Sequence, residues 1–232
     1  METISELFHQ LRELLNPKII IETLLAKGGV FVYLGLIFIV FAETGLAVGF
    51  FLPGDSLLVV AGLFAATGKL NLAILLSTLF VAAVVGDAVG YFTGLRLGPR
   101  LFKKQKSLLF RPSHLQKAHA FYEKYGGKTI VIARFVPIVR TFAPLVAGAA
   151  QMPYRRFVVF NVAGGFLWIS TMLLAGYFLG SLLKSRFGID LDEHIEWVVI
   201  VVVMLSLIPP LVEYIKSRRE KARATRATSA EV

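Results

Sequence analysis

The chain has 232 residues, of which 56% are hydrophobic, and carries a formal net charge of +10 at pH 7. An average soluble domain is about 45–50% apolar, and here the excess is concentrated in runs long enough to cross a bilayer, so a water-soluble globular protein is excluded. The chain contains no cysteine, which excludes disulfide bonds and thiolate metal sites.

The N-terminal segment, residues 1–28, starts with acidic and mixed residues rather than with a basic stretch followed by a short apolar one. This composition does not fit a cleavable signal peptide. Its apolar residues recur at helical spacing, which predicts an amphipathic helix lying on the membrane surface.

The membrane core is predicted over residues 29–183 and begins with a broken apolar segment at about residues 30–67. Pro53 and Gly54 interrupt this segment, because proline disfavours helix at the preceding residue and glycine permits a turn. The run that follows, at about residues 70–97, is long enough to cross the bilayer as one helix.

The same arrangement returns in the second half of the core. A second broken segment, at about residues 128–151, contains Pro137 and Pro144 and precedes a second span at about residues 157–183. The two spans share the phrase GYFxG, offset by 86 residues. The chain is therefore predicted to be a duplicated unit of a re-entrant helical hairpin followed by a transmembrane helix.

The predicted hairpins enter and leave on one face, so each unit crosses the membrane once and the second unit is inverted. Inverted repeats with discontinuous helices are a transporter architecture. The connector between the units is basic, and residues 184–232 comprise an acidic loop, an extra transmembrane helix at about residues 195–215 and a basic tail. The positive-inside rule places connector and tail in the cytoplasm. The side of the N-terminus stays open.

Two carboxylates belong to the first broken segment. An ionised side chain near the bilayer centre costs at least about 2.5–3.5 kcal/mol, so it normally faces a partner or a water-filled cavity. Glu43 has no basic residue nearby in the sequence, and burial disfavours the charged form of a carboxyl group. It is a candidate for proton coupling, with a protonated residue at a kink as the alternative. Asp55 is a second candidate, although Asp after Pro-Gly is also a natural helix N-cap.

Two arginines belong to the second broken segment. Arg134 and Arg140 are six residues apart with Pro137 between them, so a proline break can direct both side chains into one cavity. A guanidinium presents a planar fork that suits phosphate. The arginines are predicted to bind an anionic head group and to pair with the two acids. Two purely structural arginines are the alternative.

Asp87, the one charged residue of the first span between Leu70 and Leu95, is a further candidate. A pairing with Lys or Arg near the cytoplasmic end of that span would also explain it. The four histidines are scattered and make no metal-ligand pattern. Lys104 and the pair Arg111-Pro112 form one string of a lipid phosphatase motif, but the rest of the motif does not follow. We therefore expect no catalytic residues, no metal, no cofactor and no nucleic acid partner.

A set of phrases in a fixed order resembles the DedA family, whose shared region is also called the VTT domain. The phrases are Glu43 before FFLPGDSLL, then GDAVGYFTG, RFVPIVRTFAPLVAG, Met152, Phe157, Asn161, Gly164 and Trp168. The resemblance implies two facing re-entrant hairpins in the bacterial inner membrane. It also implies that Glu43, Asp55, Arg134 and Arg140 are the functional residues, with Asn161 as a further candidate.

The resemblance implies several activities. Family members are linked to recycling of undecaprenyl phosphate across the membrane, and others to proton-dependent transport and drug resistance, while eukaryotic relatives are phospholipid scramblases. The leading hypothesis is a lipid transporter whose partners are an anionic lipid and protons. A proton-coupled exporter of cations or drugs and an uncoupled scramblase are the alternatives, and a homo-oligomer is left open.

Overall fold

The computed structural model describes residues 16–46, 54–101 and 127–187, together with residue 198. Within these ranges every regular element is a helix. The helices are α1 (Pro17–Ala26), α2 (Gly29–Gly45), α3 (Gly54–Ala66), α4 (Leu72–Leu101), α5 (Lys128–Ala133), α6 (Pro137–Ala149) and α7 (Tyr154–Phe187). The prediction of an all-α protein is therefore confirmed for the described residues.

Several predictions fall outside these ranges. Most of the N-terminal amphipathic segment, Pro53, the basic connector over residues 102–126, the acidic loop and nearly all of the C-terminal span and tail lie there. Helix α1 is the described part of the N-terminal segment, and the predicted boundaries of the three regions stay predictions.

Helices α4 and α7 correspond to the two predicted spans of the core. Their apolar parts, Leu72–Leu97 and Tyr154–Arg186, contain 26 and 33 residues, and they are the helices within the described ranges that are long and apolar enough to cross a membrane. A crossing needs about 20 residues. Large apolar side chains project outward from both helices, including Val81 and Phe166, which are 56% and 62% exposed. Such a surface suits a hydrocarbon environment.

The predicted breaks occur where the sequence places them, with one exception. Helix α2 ends at Gly45, and α3 begins at Gly54. Helix α5 ends before Arg134, and the residue preceding Pro137 is extended (φ −112°, ψ 107°), as a residue before proline prefers. Pro144 was expected to interrupt the second segment, but it lies inside α6. That expectation is wrong, since the helix continues through a proline that lacks only one backbone donor.

Packing between the helices follows one rule in both halves of the core. The first arm of each broken segment, α2 or α5, lies along the span of its own half, α4 or α7. The second arm, α3 or α6, packs most extensively on the span of the other half. Exchanging the two halves leaves this pattern unchanged, which supports the duplicated unit.

Glycine contacts define which positions are equivalent. A Cβ atom on Gly62 would meet the backbone of α7 around Leu173, and one on Gly148 would meet the backbone of α4 around Tyr91. In the same way Gly94 of α4 packs on α6, and Gly176 of α7 packs on α3. By these contacts, Gly94 of α4 is the structural equivalent of Gly176 of α7. The GYFxG phrase instead aligns Gly90 with Gly176. The two alignments therefore differ by about one helical turn.

The contacts also fix where the first break lies. At the start of α4 the Asn71 N–H donates to the Tyr33 hydroxyl at 2.9 Å, and further along Gly45 packs on Gly86. Gly86 is the fifteenth of the 30 residues of α4. Because α2 runs alongside the first half of α4, its end lies about 21 Å along that helix, near its middle.

The second break lies beside the first half of α7. Gly127, before α5, lies against Phe160 near the start of α7, and Arg134 lies against Gly164 and Gly165 further along that helix. Both breaks therefore come together in the interior of the bundle, between α4 and α7. This is where the charged residues of both segments lie.

Candidate functional site

Arg140, in the first turns of α6, is the centre of a group that we call the Arg140 triad (Glu43, Asp55 and Arg140). Its Nη2 donates to Glu43 Oε1 at 2.5 Å, and its Nη1 donates to Asp55 Oδ1 at 2.6 Å. The side chains of Arg140 and Glu43 are 3% and 1% exposed, whereas that of Asp55 is 26% exposed. One guanidinium thus joins the two acids of the first broken segment to the second broken segment.

Trp168 of α7 completes the surroundings of the triad. Its Nε1 donates to Asp55 Oδ1 at 2.8 Å, so this oxygen accepts two hydrogen bonds. Its ring lies 4.4 Å from the Arg140 Cζ atom, within the range of a cation–π interaction. Sequence reasoning did not give Trp168 a role. The sequence did contain an indication of this role, because Trp168 lies in a run without charged residues and a buried indole N–H needs an acceptor from elsewhere in the chain.

Gly54 provides the space for one arm of the triad. A Cβ atom at this position would overlap the carboxylate of Glu43. The sequence indicated Gly54 as a turn residue, and the structure adds that its missing side chain lets Glu43 reach Arg140. Asp55 lies within the first turn of α3 rather than before it, so the N-cap interpretation is wrong. An acid in the first turn is still favourable to the helix dipole.

A second ionic group lies beside the triad, and we call it the Arg134 site (Arg134, Asp87 and Asn161). The Arg134 Nη2 donates to Asp87 Oδ2 and to Asn161 Oδ1, both at 2.5 Å. The side chains of Arg134 and Asp87 are each 2% exposed. Asn161 in turn donates from Nδ2 to the Val84 carbonyl at 3.0 Å, which orients the amide that Arg134 contacts.

Two adjacent glycines of α7 carry the Arg134 side chain. A Cβ atom at Gly164 would lie 3.2 Å from Arg134 Cδ, and one at Gly165 would lie 3.5 Å from its Cζ. The Arg134 side chain therefore packs on bare helix backbone, where an added Cβ would crowd it at Gly164 and would be in ordinary van der Waals contact with it at Gly165.

The structure brings the four predicted site residues together, but it changes their pairing. Arg140 contacts both acids of the first segment, and its Nη1 also lies 3.4 Å from the Arg134 carbonyl. Arg134 pairs instead with Asp87, in the middle of α4 and not near a helix end. The prediction that both arginines serve Glu43 and Asp55 is wrong for Arg134, because the two guanidinium groups, whose Cζ atoms lie 5.9 and 4.4 Å from the Trp168 ring, pair with different acids.

Several buried polar atoms of these groups keep unused hydrogen-bonding capacity. Among the described residues, no partner bonds the following atoms: Glu43 Oε2, Asp87 Oδ1, Arg134 Nε, Arg134 Nη1 and Arg140 Nε. Unused donors and acceptors inside an apolar bundle are costly. Chemically, the Arg140 triad and the Arg134 site together can exchange one anion for another on an arginine, and their acids can hold protons.

Comparisons with known proteins place the chain in a family. The VTT domain model matches residues 52–178. The chain is 44% identical over 215 residues to Protein DedA of Escherichia coli K12, covering 92% of this chain and 95% of that protein. It is 39% identical over 149 residues to the E. coli inner membrane protein YqjA, covering 64% and 67%. An uncharacterised membrane protein of Mycobacterium tuberculosis is 41% identical over 205 residues, covering 86% and 87%. No solved structure matches.

Fold and site define a class: a helical membrane protein in which two broken apolar segments bring opposite charges together between two long helices. The chain belongs to the DedA family of VTT-domain proteins, and it is a protein of the bacterial inner membrane. The matched domain contains Asp55, Asp87 and both arginines of the site.

Proposed function

We propose that this protein moves an anionic lipid, undecaprenyl phosphate or a relative of it, across the cytoplasmic membrane and couples the movement to protons. The observation that carries the proposal is Arg140, a guanidinium buried near mid-bundle between two acids at 2.5 and 2.6 Å. A phosphate head group and a carboxylate are alternative partners for one guanidinium fork. No catalytic step is part of the proposal.

The two broken segments are proposed to be re-entrant hairpins that enter from opposite faces. Support comes from α2, which accompanies only the first half of α4, and from α5, which accompanies only the first part of α7. Helices α2 and α3 have 17 and 13 residues, and both are shorter than the roughly 20 that a crossing needs. Broken helices that meet at the midplane are the usual substrate sites of inverted-repeat transporters.

In the proposed cycle the head group replaces a carboxylate on Arg140 while the polyprenyl tail stays in lipid. The released acid takes up a proton, because an unpaired buried carboxylate would be expensive. Asp55, the more exposed acid of the triad, is the proposed point of proton entry. Movement of one hairpin tip relative to the other would then open the site to one face at a time.

A flux assay tests the proposal. Proteoliposomes containing the purified full chain would receive fluorescent undecaprenyl phosphate in one leaflet, and its appearance in the other leaflet would be followed. We expect flux above protein-free vesicles for the natural protein, and flux at the protein-free level for Arg140→Ala and Glu43→Gln. Arg186→Ala, which removes an exposed arginine at the end of α7, is the matched control. Unchanged flux in both site variants would overturn the mechanism.

A proton-coupled exporter of cations is the second candidate, and the excess of acids in the site favours it. Three carboxylates, Glu43, Asp55 and Asp87, face two arginines. Arg140→Lys separates the candidates, because lysine keeps the charge but loses the fork that binds phosphate at two points. Lipid flux should fall strongly in this variant, while export of a cationic dye should persist if cations are the substrate.

A further inference from the structure

The two ionic groups together contain one more acid than base. The charged residues of both, which we call the five-charge cluster, are Glu43, Asp55, Asp87, Arg134 and Arg140. Guanidinium groups are not deprotonated in proteins, so both arginines count as positive. With all three acids ionised the cluster would carry one net negative charge.

No other described side chain supplies the missing positive charge. The cluster takes Glu43 from α2, Asp55 from α3, Asp87 from α4, and its two arginines from the end of α5 and from α6, while α7 contributes the neutral Asn161 and Trp168. On α1, Lys18 lies 3.7 Å from Glu22. The connection between α2 and α3, residues 47–53, contains no ionisable residue in its sequence.

Burial makes this imbalance expensive. Four of the five charged residues are at most 3% exposed, and only Asp55 is open to its surroundings. The effective penalty for a buried ion without a counter-charge is several kcal/mol, and a group in that position takes up a proton instead. One proton would bring the cluster to neutrality.

We propose that the five-charge cluster holds one exchangeable proton at neutral pH, shared among Glu43, Asp55 and Asp87, and that Asp87 is thereby a third acid of the proton site. Arg140 links the first two acids directly at 2.5 and 2.6 Å. Asp87 joins them through Arg134, whose carbonyl lies 3.4 Å from Arg140 Nη1. The proton belongs to the charge balance of the cluster and not to any one carboxyl group.

Infrared spectroscopy tests the proposal without any lipid substrate. Protonated and ionised carboxyl groups absorb at different frequencies, and exposed acids are ionised at pH 7. The purified full chain should show one protonated carboxyl band. Each of Glu43→Gln, Asp55→Asn and Asp87→Asn should abolish it, because removing any one acid makes the cluster neutral. Glu22→Gln, which changes a half-exposed acid of α1, should leave the band unchanged.

A pair of variants excludes an effect of misfolding. Arg134→Gln adds a second uncompensated charge, so the band should double. The double variant Asp87→Asn with Arg134→Gln leaves the Arg140 triad with one excess acid, so the band should return to its natural intensity. Disappearance of the band in only one acid variant would assign the proton to that residue and overturn the sharing. Absence of the band from the natural protein would overturn the stored proton itself.

A consequence for transport rests on the proposed function. If the cluster stays neutral, each negative charge of a head group enters with one further proton. A pH difference of one unit is a tenfold difference in proton concentration, so it should then change the steady-state distribution of a singly charged fluorescent phosphodiester of undecaprenol about tenfold. A potassium diffusion potential at equal pH should change it by less than twofold. Flux that follows the potential would overturn the consequence, whereas absence of any flux would count against the proposed function alone.

Discussion

The Arg140 triad and the Arg134 site lie side by side but have different partners and different charge. The Arg134 site pairs one base with one acid and an amide, and it ties the second break to α4 and α7, the two long helices. The Arg140 triad pairs one base with two acids and ties the two broken segments to each other. The first is closed and contains one acid for its one base, and the second is partly open and contains one more acid than base.

This difference leads us to expect different roles for the Arg140 triad and the Arg134 site. Links from a broken segment to a long helix can persist while the segments move, so the Arg134 site suits an anchor. Links between the two segments must break when one moves relative to the other, so the Arg140 triad suits the exchange of partners. The two arginines belong to the same broken segment, and we nevertheless expect different roles for them.

The largest expected effect comes from Arg140→Ala. It leaves two acids without their base, and removal of one partner from a buried ion pair costs roughly 3–5 kcal/mol. We expect lipid flux at the protein-free level and a lower free energy of unfolding, measured by SDS titration in mixed micelles. Arg186→Ala should change neither quantity. Near-natural flux in Arg140→Ala would show that the triad is not the working site.

The Arg134 site gives the second prediction. Asp87→Asn or Arg134→Gln alone should each lower the free energy of unfolding by roughly 3–5 kcal/mol, because each breaks a buried ion pair by removing one of its partners. The double variant should recover most of that loss, since a neutral pair can replace a buried ion pair at little cost. SDS titration of all three variants measures the coupling. If the losses of the single variants simply add, the two residues do not act as an isolated pair.

Trp168→Phe tests the contribution of the tryptophan beside the Arg140 triad. Phenylalanine keeps a ring near Arg140 but removes the N–H that donates to Asp55, a bond to a charged group worth about 1.5–3 kcal/mol. We expect a lower free energy of unfolding and a flux that depends differently on pH, because Asp55 Oδ1 then accepts a hydrogen bond from Arg140 alone. If the pH profile of flux is identical to that of the natural protein, Trp168 contributes only through packing.

The smallest expected effect comes from Gly54→Ala. The added Cβ overlaps the Glu43 carboxylate, and such overpacking costs about 1–3 kcal/mol. Flux should fall, because Glu43 can no longer reach Arg140 without a shift of α3. Gly29→Ala, at a position with nothing within 4 Å of the new Cβ, is the control. Equal flux in both variants would mean that the position of Glu43 is not critical.

Much of the fold followed from local sequence properties. Long apolar runs predict membrane helices because the bilayer core has a fixed thickness, and α4 and α7 lie where these runs are. Proline and glycine acted through backbone geometry at Pro137 and Gly54, so both breaks were found. The break predicted at Pro144 is absent, because a helix can tolerate one missing backbone donor. The sequence does not show at which prolines this happens.

The helical membrane class, the two breaks and the presence of buried charges could be predicted from the sequence, because each depends on residues close together in the chain. The pairing of those charges depends on the tertiary fold. Asp87 and Arg134 are 47 residues apart, and Glu43 and Arg140 are 97 apart, so no local pattern links them. The packing of the two broken segments between the long helices brings these distant residues together, so that Arg134 pairs with Asp87 and Arg140 joins Glu43 and Asp55.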